Sequence, residues 1–159
     1  MTPLYGWAPR GEPLEESVPR NRGTVTTMLG ALTTAGLKTV MLTEGATTGP
    51  VFLAFVRHFL LPLLAPGKFV LLDNLAAHRN KEALALIRAC GATPVFLPPY
   101  SPDFNPIELA WSKLKNFLRV ARARTHEELD AAVARAMDDI TSADARGWFR
   151  HCGVGSQVD

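Results

Sequence analysis

Phe69–Asn80 reads FVLLDNLAAHRN. Phe69–Leu72 is a continuous apolar run of strand length behind Pro66-Gly67, the pattern of a strand buried on both faces in a parallel region. The run stops at Asp73, which puts an acid at the carboxyl end of the strand, where open α/β sheets place their sites. An Asp in a DN pair also caps the turn that follows, so position alone leaves both readings open. Asn80–Ala89 is a helix of good formers, closed by Cys90-Gly91 with Gly91 as C-terminal cap. Thr93–Leu97 is then a second short apolar strand.

Working outward, Arg22–Thr33 is rich in Thr and Val and reads as a strand, with Lys38–Thr43 (KTVMLT) as its antiparallel partner across Thr34–Leu37. Thr47-Thr48-Gly49-Pro50 starts a helix over Val51–Leu61, apolar on most sides and stopped by Pro62. Residues 1–21 carry Pro3, Pro9, Pro13 and Pro19 and read as loop, with at most a short strand at Leu4–Ala8. Downstream, a proline-stiffened loop leads into a helix over Pro106–Ala121, with Ile107, Trp111, Leu114 and Leu118 on one stripe. Thr125 and Glu128 form a capping box for the next helix, whose core face is Leu129, Ala132, Val133, Ala136, Met137 and Ile140. A last helix runs over Ser142–His151. Helices flanking a mixed sheet is the economical architecture for this order.

The 159 residues suit one domain, with 22–104 as sheet and helices and 105–151 as C-terminal helices. An apolar content of 47% excludes a wholly disordered chain. The net charge of +2 excludes a polycationic tail but leaves room for a local basic patch. Cys90 and Cys152 are too few for a disulfide scaffold, which suits a reduced cytoplasmic setting. The most apolar window, Val51–Leu64, contains Arg57, His58 and Pro62 and falls short of the ~20 residues that cross a bilayer, so no membrane partner is expected.

Glu108 lies in the first turn of the Pro106–Ala121 helix. Asn105, Pro106 and Glu108 make a possible capping box, which alone explains a glutamate there. Its face suggests more: Glu108, Ser112, Lys115 and Arg119 follow at helical spacing, opposite the apolar stripe. Between residues 105 and 124 this single acid stands among Lys113, Lys115, Arg119, Arg122 and Arg124. A lone acid on a basic face fits a metal ligand beside a phosphate backbone, and a plain solvated face is the rival. His78, five residues after Asp73, can approach a phosphate there or be an ordinary helix-start histidine.

Together, LLDNLAAHRN (Leu71–Asn80) and FLPPYSPDFNPIELAWSKLKNFLR (Phe96–Arg119) resemble the catalytic core of D-D-E transposases of the mariner-like group and its bacterial insertion-sequence relatives. YGWAPRGE (Tyr5–Glu12) and GTVTTMLGAL (Gly23–Leu32) are similar to that group as well, and 34 residues separate Asp73 from Glu108, the group's interval between its second and third acids. The resemblance implies a ribonuclease-H-like fold, a mixed sheet flanked by helices, with Asp73 and Glu108 as the second and third metal-binding catalytic acids. It implies two Mg²⁺ (or Mn²⁺) ions, double-stranded DNA as partner (transposon ends and target) and a nucleoid-associated cytoplasmic setting. Asn74, His78, Lys113, Lys115, Arg119 and Arg122 are the expected DNA-binding residues. The group's first strand, with its Asp, falls upstream of the YGW stretch. No Asp or Glu precedes Glu12 here, so the first strand and acid are expected to be missing, as is the group's helix-turn-helix region. The expected activity is strand cleavage and transfer that this chain alone leaves incomplete, as a homodimer or with a partner fragment carrying the N-terminal half. The alternative is a non-catalytic remnant that binds DNA or a transposase subunit.

Overall fold

In the computed structural model the described residues are 26–99 and 101–154. The expected features at residues 1–25, including the YGW stretch and the start of the first strand, lie outside them, as does Tyr100.

The chain opens with a hairpin, β1 (Thr26–Thr33) and β2 (Gly36–Glu44), paired antiparallel from Thr26↔Glu44 to Thr33↔Gly36. The turn is only Thr34-Ala35, tighter than the Thr34–Leu37 link expected from sequence. Thr33 Oγ1 accepts the Ala35 N–H, and Gly36 takes a φ of 108°, a backbone shape that suits glycine. Both faces of this hairpin are used. Leu29, Ala31 and Met41 pack toward the first helix, whereas Met28, Leu32, Val40 and Leu42 pack toward the C-terminal helices. At Gly30 the ring of Trp111 comes so close that an added Cβ would sit 2.7 Å from its edge. A glycine in a strand interior here marks close approach of a neighbouring element.

The first helix, α1 (Gly49–Phe55), has Pro50 in its first turn and runs on through a wider turn at Val56–Leu60 and a tighter one at Leu61–Leu63. Pro62 has no N–H to return to the helix, and the Leu61 N–H bonds five residues back to Val56 O, which is the widening. Phe52, Phe55, Val56 and Leu60 are its buried face. Strand β3 (Phe69–Leu72) pairs in parallel with β4 (Thr93–Phe96) across the intervening α2 (Lys81–Ala89). Asn80 caps α2 by accepting the Ala83 N–H at 3.0 Å.

Helices α3 (Pro106–Ala121), α4 (His126–Asp139) and α5 (Ser142–His151) close the chain. They share a second core with the hairpin, built on Leu37, Ala110, Leu114, Ala132, Val133 and Ile140. The capping box at Thr125 and Glu128 is formed, and Thr141 with Asp144 makes another. Lys113 of α3 ties α5 down: its Nζ donates to Asp139 O at 2.7 Å and to Asp144 Oδ2 at 3.0 Å. The Thr141 N–H and hydroxyl, with Lys113, hold the Asp144 carboxyl down to about 2 from 3.8. Because the folded value is depressed, this contribution is complete above pH 3.8 and is lost as pH falls through about 2. Asp144→Asn is therefore expected to lower the Tm at pH 7, and the gap to the parent should close between pH 4 and pH 2. Thermal melts followed by circular dichroism check this, and a gap that persists at pH 2 would contradict it.

One expectation needs correction. The Phe69–Leu72 run predicts burial on both faces, yet only Leu72 is buried, Phe69 is 73% exposed and Val95 of β4, opposite Leu71, is 36% exposed. The C-terminal helices pack on the hairpin, and no described helix among α3–α5 covers the outer face of β3 and β4. Among the described residues β1–β2 and β3–β4 form two separate two-stranded sheets, so β1 and β3 each pair along a single edge. Unpaired edges beside apolar surface favour association between chains. The chain is expected to self-associate in sedimentation velocity, and Phe69→Lys to shift it toward monomer. A monodisperse parent monomer would overturn this.

Candidate functional site

β3 ends at the buried Leu72, which delivers Asp73 to the end of the sheet. Asp73 Oδ1 accepts the Leu75 N–H at 2.9 Å, so it does cap the following turn. The same oxygen accepts a second hydrogen bond from His78 Nδ1 at 2.6 Å. The bond from His78 is the main cause that lowers the Asp73 pKa from 3.8, with burial opposing it and the Leu75 N–H assisting. Asp73 is thus ionised at neutral pH and His78 is the donor. Asp73 Oδ2 has no partner among the described residues. Capping therefore occupies one oxygen and leaves the other for chemistry.

His78 is held from behind. Its side chain is 13% exposed and its ring lies 4.6 Å from that of Phe52, at 52°. It faces Asp73 and the core. Asn74 bridges the ends of the two strands: its Nδ2 donates to Leu97 O, and its Oδ1 accepts from Arg79 Nη2 at 2.6 Å. The Arg79 guanidinium lies 5.2 Å from the centre of the Phe96 ring.

Opposite Asp73 stands the start of α3. The box available to Asn105 and Glu108 is not made: Asn105 occupies the N-cap position without a side-chain cap bond. α4 and α5 form theirs, so the contrast is between like motifs in one chain. The Glu108 carboxylate is exposed and has no partner among the described residues. Asp73 and Glu108 instead line one open cleft of about 450 Å³, together with Asn74, Leu97, Pro98 and Asn105.

The expected basic residues divide. Ser112 and Lys115 are exposed on the Glu108 side of α3, and Arg119, half-buried, donates to Asn116 Oδ1 at 2.8 Å. Lys113 is engaged by Asp139 and Asp144, as described above. Arg122 ends α3 with a left-handed backbone, φ 50°. Sequence reading passed over Arg79, although it lies inside the quoted LAAHRN stretch; only its partners Asn74 and Phe96 reveal it.

Asp73 Oδ2 and the two Glu108 carboxylate oxygens, unpartnered among the described residues, line one open cleft and are hard ligands that suit a divalent cation such as Mg²⁺ or Mn²⁺. Among the described residues no group of three His, Cys, Asp or Glu side chains could hold a metal, so the described donor set fits an ion in part.

A family model described as DDE superfamily endonuclease matches residues 1–130. By structure the chain is similar to the Mos1 strand transfer complex (TM-score 0.74, 14% identity, 92% of this chain and 45% of that chain). It is similar too to the Mos1 transposase paired-end complex with left transposon end (TM-score 0.73, 14% identity, 92% and 46%). A third likeness is to the Mos1 mariner paired end complex with Mn (TM-score 0.67, 13% identity, 91% and 46%). At this identity the likeness shows the fold, which is ribonuclease-H-like. The chain spans less than half the length of those chains. No curated protein matches the chain by sequence.

Proposed function

The chain belongs to the DDE superfamily endonucleases, and from that premise we propose that it is the catalytic core of a transposase, which cleaves and joins DNA strands with Asp73 and Glu108 as two of its metal-binding carboxylates. The observation that carries this reading is the shared cleft in which Asp73 Oδ2 and the whole Glu108 carboxylate have no partner among the described residues, one because its hydrogen bonds fall on the other oxygen and the other because its cap is not made.

Bound Mg²⁺ or Mn²⁺, held in part by Asp73 and Glu108, would supply an activated oxygen nucleophile and stabilise the leaving oxygen. Asp73 supplies an oriented oxygen, because His78 and Leu75 fix its other one. Glu108 supplies the facing carboxylate from a helix start. A third carboxylate would complete the site; none joins Asp73 and Glu108 among the described residues. Lys115 and Arg119, further along the face of α3 that begins with Glu108, receive the backbone of double-stranded DNA, the transposon ends and their target, in a homodimer or with a partner fragment. Among the described residues no helix is long and apolar enough to cross a membrane.

The absence of a three-ligand group among the described residues favours a second reading, a remnant that binds DNA or a transposase subunit without cutting. Metal binding separates the two. Mn²⁺ titration followed by electron paramagnetic resonance of the free ion is expected to show binding that Asp73→Ala or Glu108→Ala weakens by about tenfold or more. Equal, unsaturable Mn²⁺ uptake by all three chains would favour the remnant.

A further inference from the structure

The tight turn at Ala76–Arg79 sends two adjacent side chains in opposite directions. His78 points inward to Asp73, and Arg79 is exposed beside the cleft. Arg79 is nevertheless ordered. Asn74, a cleft-lining residue, accepts from its Nη2 at 2.6 Å, and the guanidinium lies over the Phe96 ring at 5.2 Å. Both partners are neutral, and Arg79 has no carboxylate partner among the described residues. The contrast within the same fold is plain: Lys113 is matched by Asp139 and Asp144, and Arg57 by Glu82. A guanidinium fixed in place with its charge unmatched, and with donors left over from its five, is arranged to bind an anion by a fork of hydrogen bonds.

We propose that Arg79, held by the Asn74 amide and the Phe96 ring at the mouth of the cleft, binds a backbone phosphate of the DNA strand that runs between Asp73 and Glu108. This rests on the DNA-processing reading of the cleft and adds to it a fixed contact, which sets the register of the strand. Asn74 then acts through Arg79: its carbonyl oxygen aims the guanidinium, and its amide anchors to β4 at Leu97. The phosphate contact is independent of base identity, as expected of a group that positions a strand rather than reads it.

The test is equilibrium binding of a fluorescently labelled DNA duplex by fluorescence anisotropy, over a range of NaCl concentrations, without divalent metal. Four chains are compared: the parent, Arg79→Gln, Arg79→Lys and Arg135→Gln. Arg135 is exposed on α4, makes no hydrogen bond or ion pair among the described residues, and matches the charge change of Arg79→Gln. Arg79→Gln is expected to weaken binding by roughly fivefold to tenfold at low salt and to reduce the slope of log K against log salt by about 0.9. Arg79→Lys keeps the charge and loses the fork, so it should keep the slope and lose affinity. Arg135→Gln should leave the slope unchanged. Equal slopes for the parent and Arg79→Gln, while Lys115→Gln and Arg119→Gln lower theirs, would overturn the Arg79 contact and spare the DNA reading. Equal losses in Arg79→Gln and Arg135→Gln would reduce Arg79 to bulk charge and overturn it too. A parent chain with no affinity for DNA would overturn the DNA reading and the contact together.

Discussion

DNA nicking that depends on Mg²⁺ or Mn²⁺ is expected once a third carboxylate joins Asp73 and Glu108, as in a fusion that adds an aspartate-bearing, strand-forming segment to the chain, because no third ligand lies beside these two among the described residues. Within the fusion, Asp73→Asn and Glu108→Gln should each abolish it. These substitutions keep shape and remove the charge that holds a cation, so the loss reports ligation rather than packing. Two-metal chemistry needs ions held close together, and the stabilisation of developing charge is worth several kcal/mol, so each loss should reach ~10³-fold or more. Among the described residues β1 and β3 each pair along one edge only, which gives such a segment a place to pair. Nicking by the unfused chain that both substitutions remove would show that its own residues complete the site. A folded fusion that binds DNA and never nicks would favour the non-cutting reading. Plasmid relaxation on a gel decides among these outcomes.

Phe52→Ala has the second large expected effect, and it links the core to the site. Phe52 is 2% exposed and sits in the core between the hairpin and β3. Truncating a buried phenylalanine costs about 3–5 kcal/mol, against a total stability of about 5–15 kcal/mol for a domain. The variant should therefore melt far below the parent. Phe52→Leu fills more of the space and should fold, yet it removes the ring that backs His78. His78 then loses its fixed aim at Asp73, and the Asp73 carboxyl should rise toward its ordinary value of 3.8. A carbon-13 NMR titration of the Asp73 carboxyl reads this directly. An unchanged Asp73 in a folded Phe52→Leu chain would show that the ring does not hold the histidine.

What could be read from the sequence was what is decided locally. The Pro106–Ala121 and Ser142–His151 helices have the bounds that their prolines, caps and apolar spacing imply. The Thr125 box forms, because both of its partners lie within one turn. Position offered Asp73 and Glu108 only as candidates, since each also had a capping role open to it, and the resemblance singled them out; both line one cleft. What escaped the sequence depends on distant partners. Whether β3 is covered on both faces is decided by where α3–α5 pack, and they choose the hairpin. The engagement of Lys113 requires Asp144, 31 residues away. The unmade cap at Asn105 escaped as well, although the two boxes that form, at α4 and α5, both have threonine rather than asparagine at the N-cap.

Gly30 carries no chemistry, yet it sets a dimension of the site. Trp111 follows Glu108 by three residues on α3, and its ring rests in the notch that the missing side chain of Gly30 leaves in β1. The seating depth of that indole acts as a gauge for the start of α3 against the β1–β2 hairpin, which shares a core with β3, the strand that leads to Asp73. A single methyl group at Gly30 would widen the gauge at a point remote from any ligand, and the calibration between the two acids would be lost though both remain in place.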